Sequence, residues 1–218
     1  MLELKNVVKS YKMKGVRKRI LNDVSFQFPE GRNVAIMGKN GAGKSTLMRL
    51  LAGIEQPDRG RVLRDTRTSW PMGFSGGFNG SMTGLENVRF VARLYGQDTE
   101  AVIDYVKNFT DLGDSLRLPI KTYSSGMKAR LAFGLSMAID FNCYLIDEIT
   151  AVGDKSFRLR SKEVFQDKLS HASVVMISHS ISTIREYCDC GVFLKDGDLY
   201  YFSDIEDLIC VYQDEMGA

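Results

Sequence analysis

Apolar positions along the chain fall into two rhythms. Residues 2–11 and 20–28 alternate, with Val24, Phe26 and Phe28 interleaved by Ser25 and Gln27. Alternation of that kind predicts half-buried strands. Residues 33–37, 142–146 and 173–177 are short runs, apolar after one leading polar residue, as in strands covered on both faces. Lys44–Leu51 has the spacing of a helix. Val88, Val91, Ala92, Leu94 and Tyr95 form another helical stripe, behind Thr83 with Glu86 three residues on, a capping box. Further helices are predicted over 99–112, with Val102, Ile103, Val106 and Phe109 on one face, over 128–139 and over 204–215. Pro57-Asp58-Arg59-Gly60 reads as a turn, with strands returning over 61–70. Strands alternating with helices through short connectors predict a parallel α/β sheet whose ligands sit at the carboxyl ends of its strands. Residues 82–118 read as a helical lobe inserted between two halves.

The strand at 33–37 runs into Gly38-Lys39-Asn40-Gly41-Ala42-Gly43-Lys44-Ser45-Thr46, a phosphate-binding loop pattern. Glycines let the backbone wrap tightly and aim its N–H groups inward. The helix start adds partial positive charge at the bound anion. Lys44 would reach the β- and γ-phosphates and Ser45 would place its hydroxyl on a magnesium ion. The bland alternative, a glycine-rich turn, is disfavoured by the strand before it and the helix after it. Asp147 and Glu148 close the strand at 142–146. Asp147 would hold the metal opposite Ser45, and Glu148 would polarise an attacking water. Their bland alternative is a helix cap. His179, just past the strand at 173–177, is either a surface imidazole, as His171 is read, or a contact to the γ-phosphate. Tyr11 is either an edge-strand aromatic or a platform for an adenine ring.

Composition narrows the partners. The 218 residues carry a net charge of +2, too mild to argue for nucleic acid. Cys143, Cys188, Cys190 and Cys210 lack the paired spacing of a zinc or redox site and read as reduced, mostly buried thiols, with Cys188 and Cys190 there for packing. Neither a signal peptide nor an apolar run of membrane-spanning length is expected. The basic stretch 12–19 is either a solvated hairpin loop or a contact to anionic headgroups or an acidic substrate. Residues 73–80 are expected to form a mobile loop.

Taken together, these residues resemble the ATP-binding cassette of ABC transporters over nearly the whole chain. The resemblance implies a P-loop NTPase cassette, 1–218 as one nucleotide-binding domain, with a RecA-like core, an antiparallel β subdomain and an α-helical subdomain at about 82–140. It implies ATP and Mg2+ as cofactors. Nucleotide contacts would come from Tyr11, Gly38, Asn40, Gly41, Gly43, Lys44, Ser45 and Thr46, metal contacts from Ser45 and Asp147, and catalysis from Glu148, His179 and Lys44. Residues 147–154 resemble the run ending in the D-loop aspartate, here Asp154. Tyr123-Ser124-Ser125-Gly126-Met127 stands where the family has Leu-Ser-Gly-Gly-Gln. It keeps Ser124 and Gly126, which in the family meet the nucleotide of a partner cassette. A head-to-tail homodimer is therefore implied. The stretch 74–79 lacks the family's glutamine, and Asn79 is the nearest amide.

Residues 70–87, the departures at 123–127 and the run 147–154 resemble ATPases that export polysaccharide through ABC-2-type permeases, above all those of capsular polysaccharide in Gram-negative bacteria. That resemblance implies a peripheral protein at the cytoplasmic face of the inner membrane, an integral permease, periplasmic and outer-membrane export partners and a lipid-linked polysaccharide cargo. O-antigen or teichoic acid export, lipoprotein release and cell division are the alternatives within the family. A soluble cassette of translation or DNA repair, and a binding-only cassette, are the rivals outside transport.

Overall fold

The computed structural model describes residues 1–13, 15–72, 77–148 and 154–217. Residues 149–153 of the run 147–154, and residues 73–76 of the loop expected over 73–80, lie outside them. The chain divides into two compact units. The first comprises Met1–Pro71, Asn142–Glu148 and Ala172–Ala218, and the second Met72–Phe141 and Ile149–His171.

The first unit holds two sheets. The smaller is antiparallel, with β2 (Val16–Phe28), β1 (Leu2–Met13) and β4 (Arg59–Arg64) in that order. Val24 and Phe28 of β2 are buried while Ser25 and Gln27 are exposed, as the alternation requires. The basic stretch is not a loop. Tyr11 pairs with Lys18, Lys12 with Arg17 and Met13 with Val16, so the hairpin continues through it. The expected strands over 61–70 end at Arg64, followed by an isolated bridge between Thr68 and Cys143.

The larger sheet runs β5 (Cys143–Asp147), β6 (Ser173–Ile177), β3 (Val34–Met37), β7 (Cys190–Lys195), β8 (Asp198–Phe202). Pairing is parallel except for the β7–β8 hairpin at its edge. All four residues of β3 are buried, as are four of five in β5 and β6. That burial explains the unbroken apolar runs. The β7–β8 turn is Asp196-Gly197, both at positive φ, 52° and 92°. An Asp-Gly pair between apolar runs is a hairpin signal. Helix α1 (Lys44–Leu51) buries Leu47, Met48, Leu50 and Leu51 in the core these sheets share. Each such side chain contributes roughly 1.5–3 kcal/mol of burial. Arg64 caps the end of α1 by donating to the carbonyls of Leu50 and Leu51.

In the second unit, α2 (Gly84–Leu94) starts at the expected capping box. Thr83 Oγ1 accepts from Glu86 N at 3.1 Å and Glu86 Oε2 from Thr83 N at 2.7 Å. Val88 and Ala92 are buried, but Leu94 is 68% exposed, so the stripe faces the core less broadly than its spacing predicts. Helix α3 (Thr99–Thr110) buries the four expected residues. Helices α4 (Ser125–Met137) and α5 (Lys155–Leu169) follow. Phe109, Phe133 and Phe157 join the last three helices in one aromatic cluster, with Phe109 and Phe157 centroids 5.3 Å apart. Asn79 is exposed, and its side-chain oxygen is engaged in its own turn. Its Oδ1 accepts from Ser81 N at 3.0 Å, and its backbone is held on both sides by buried Asn87.

Helices α6 (Ile181–Tyr187) and α7 (Ile205–Met216) complete the first unit. Cys143, Cys188 and Cys190 are buried and Cys210 is exposed. Burial, aided by Asp189 and Cys190, pushes the Cys188 thiol up to about 12, which keeps it protonated and unreactive.

Candidate functional site

The carboxyl ends of β3, β5 and β6 meet at one cleft of about 520 Å3. Its lining includes Asn40, Gly41, Gly43, Lys44, Ser45 and Thr46 from the loop, Asp147 and Glu148 from β5, and His179 beyond β6. The sequence placed these residues at strand ends, and the structure brings them together.

Two glycines shape the loop. Gly43, the N-cap of α1, has φ 115°, and a Cβ there would lie 2.3 Å from Ile20 Cγ2. Gly38 has φ 152°, and its Cβ would lie 2.5 Å from the Leu194 carbonyl oxygen. Both positions exclude a side chain by sterics and by backbone conformation. The first amides of α1 are then left to point into the cleft.

Lys44 is 9% exposed, and its Nζ donates to the carbonyls of Gly38 at 2.7 Å and Lys39 at 3.2 Å. Burial lowers its pKa, opposed by the charges of Asp147 and Glu148. A buried ammonium whose described hydrogen bonds all go to neutral carbonyls favours an incoming anion.

Glu148 sits at φ 59°, and its N–H donates to the Ile177 carbonyl at 3.0 Å. Left-handed backbone at a non-glycine residue costs about 1–3 kcal/mol and concentrates at functional sites. The turn carries the Glu148 carboxylate to within 3.3 Å of His179 Nε2, with both side chains 49% exposed. His179 is thus a partner of Glu148 as well as a cleft residue, while His171 is exposed and bonds Ser170.

Tyr11 lies beside the cleft. Its hydroxyl is 3.5 Å from Thr46 Oγ1 and donates to Glu55 Oε1 at 2.5 Å. Ser124, Gly126 and Asp154 belong to the second unit. Ser124 caps α4, accepting from Met127 N at 3.2 Å. A Cβ on Gly126 would meet only Ser124 Oγ at 3.9 Å, so nothing within the described chain demands glycine there. Asp154 caps α5 by accepting from Phe157 N at 2.9 Å and pairs with Arg130 Nη2 at 2.6 Å. The Phe157 amide, then the Arg130 guanidinium, hold the Asp154 carboxyl below its usual range.

Sequence reading missed two contributors. Ile20 lines the cleft. Lys18, two residues earlier in the same strand, donates from Nζ to the Gly41 carbonyl at 2.7 Å. Period-two alternation puts Lys18 and Ile20 on one side of β2, and that signal would have found both. Among the described residues no group of three or more His, Cys, Asp or Glu could hold a metal unaided. Ser45 and Asp147 in one cleft suit an ion that takes its remaining ligands from phosphate and water.

Similarity to known proteins agrees with this geometry. Residues 21–151 match the family described as ABC transporter. The chain is 44% identical to the polysialic acid transport ATP-binding protein KpsT of Escherichia coli, over 99% of this chain and 100% of that one. It is also 44% identical to the capsule polysaccharide export ATP-binding protein CtrD of Neisseria meningitidis serogroup B, covering 94% of this chain and 95% of that one. Among solved structures it resembles a dimeric ATP-binding cassette in a post-hydrolysis state with ADP and Pi. That TM-score is 0.75 at 22% identity, over 94% of this chain and 99% of that one. Fold, cleft and full-length identity converge, and the chain belongs to the ABC transporter family.

Proposed function

We propose that this chain is the ATP-hydrolysing subunit of a transporter that exports capsular polysaccharide across the bacterial inner membrane. One observation carries the cargo: the 44% identity to CtrD and KpsT along essentially the entire chain. The cleft supports the chemistry. Tyr11 takes the adenine, and Gly38, Asn40, Gly41, Gly43, Lys44, Ser45 and Thr46 take the phosphates. Ser45 and Asp147 hold Mg2+, which supplies charge neutralisation at the β- and γ-oxygens. Glu148 accepts the proton of the attacking water, and His179, 3.3 Å away, keeps that carboxylate aimed.

Ser124 and Gly126 serve the nucleotide of a second copy. The α4 N-terminus is an anion site, and the open space at Gly126 leaves room for a phosphate to approach from outside. Asp154 joins that surface through its tie to Arg130 on the same helix. The working form is a head-to-tail homodimer with two ATP molecules. Among the described residues no helix is long and apolar enough to cross a membrane. In this reading the dimer docks on an integral ABC-2-type permease at the cytoplasmic face, and periplasmic and outer-membrane proteins continue the path of the lipid-linked polysaccharide.

Deleting the gene in its host tests the assignment. Polysaccharide should accumulate inside the cell and disappear from the surface, with its synthesis intact. Unchanged surface polysaccharide, or a defect confined to lipoprotein release or division, would contradict it.

A further inference from the structure

The phosphate end of the cleft is built by the loop motif, whereas the side chains around Tyr11 come from outside it. Glu55, just beyond α1, accepts from three donors at once. Its Oε1 takes Tyr11 Oη at 2.5 Å and Lys9 Nζ at 2.9 Å, and its Oε2 takes Arg49 Nε at 3.1 Å. Arg49, on α1, donates from Nη2 to Tyr11 Oη at 3.2 Å and to Thr46 Oγ1 at 3.1 Å. Lys9 Nζ also donates to the Gln56 carbonyl at 2.7 Å and lies over the Tyr11 ring, 5.5 Å from its centroid.

This cluster is not a pair of solvated surface ions. The side chains of Lys9 and Glu55 are 11% and 19% exposed. Burial pushes the Glu55 carboxyl up, but hydrogen bonds from Lys9, Tyr11 and Arg49 outweigh it and hold the group below its usual range. A purely structural cluster would serve to close the end of α1 onto β1. That role accounts for Lys9 and Glu55. It leaves unexplained why one guanidinium nitrogen bridges the tyrosine hydroxyl and Thr46 of the cleft. A ring that only stacked would need no hydroxyl at all.

We propose that Glu55 and Arg49 are positioning residues for the nucleotide, fixing the Tyr11 ring through its hydroxyl and tying that ring to the phosphate-loop helix through Thr46. The inference rests on the reading that Tyr11 receives the adenine. Lys9 lies over the ring, and Tyr11 stays only partly buried. The hydroxyl anchor removes the ring's rotational freedom before ATP arrives, so less ordering accompanies binding. One pre-ordered side chain of this kind changes affinity by about two- to tenfold.

The test is equilibrium binding of ATP and of inorganic tripolyphosphate, which lacks a base, to the full chain. Wild type is compared with Tyr11→Phe, Tyr11→Leu, Glu55→Gln and the Tyr11→Phe/Glu55→Gln double variant. Tyr11→Phe and Glu55→Gln should each lower the ATP-to-tripolyphosphate affinity ratio about two- to tenfold. The double variant should fall no further than the weaker-binding single, because both act through the Tyr11 hydroxyl. If Tyr11→Leu lowers the ratio while Tyr11→Phe and Glu55→Gln do not, stacking stands and the positioning role is wrong. If Tyr11→Leu also leaves the ratio unchanged, the adenine reading of Tyr11 is what fails, and the proposal falls with it. Equal loss of both ligands in Glu55→Gln, with a lowered unfolding temperature, would make the cluster structural only and overturn the proposal.

Discussion

Glu148→Gln is expected to slow ATP turnover by about a thousandfold while leaving ATP bound. Glutamine matches glutamate in size, so the left-handed turn at φ 59° and the approach to His179 should both survive. What disappears is the carboxylate proposed to take a proton from water. Positioned general bases contribute about 10²- to 10⁴-fold. Lys44, Ser45 and Asp147 remain in place, so nucleotide affinity should hold. Phosphate release and nucleotide retention, measured on one preparation, separate the two effects. Near-normal release would remove Glu148 from the catalytic role.

The second large effect falls on binding. Lys44→Ala should weaken ATP by about 10²- to 10³-fold, because the buried ammonium would make charge-assisted bonds worth about 1.5–3 kcal/mol each to the phosphates. Stability of the nucleotide-free chain should change little. Removing Lys44 relieves the burial of a cation, and the Gly38 and Lys39 carbonyls it leaves can turn to water in the cleft. A thermal unfolding series with ATP and magnesium reads this directly, since a ligand that binds only the folded state raises the midpoint by mass action. Wild type should show a rising midpoint and Lys44→Ala almost none. Equal shifts would mean that the lysine is not a phosphate ligand.

Both effects trace to residues legible in the sequence. A phosphate loop needs glycine where Ile20 and the Leu194 carbonyl leave no room for a Cβ, and a lysine at the helix start. These needs fix residue types at fixed spacing. Glu148 was legible because it follows a run too apolar to be anything but a buried strand. The capping box at Thr83 and Glu86 was legible for the same reason, being a local bond between positions three apart.

Other features depended on tertiary contact or on competing local signals. The charges of 12–19 suggested a loop and masked the alternation that puts Lys18 beside Ile20. The Asp196-Gly197 turn was overlooked, and with it β7 and β8. Asn79 is the nearest amide by sequence, and its side-chain oxygen bonds Ser81 N in its own turn. The Glu55–Arg49–Tyr11 cluster joins residues up to 44 apart, a proximity that no local spacing announces. Ser124 and Gly126 were identified by family resemblance alone, and the structure adds the open Cβ position at Gly126.

That last point bears on the central claim, that the cleft is half of a site finished by a second copy. ATP hydrolysis by mixed variants tests it most directly. Lys44→Ala disables the phosphate loop. Gly126→Asp places an anion where the partner's phosphate would come, in the first turn of α4, where a carboxylate suits the helix and the fold should persist. Each variant alone should be inactive. In a head-to-tail pair of one with the other, both defects fall in one site, and the second site pairs an intact loop with an intact α4 N-terminus. Mixing should therefore restore a substantial share of hydrolysis, rising as the proportions approach equality. No recovery at any ratio, from variants shown to associate, would contradict the account.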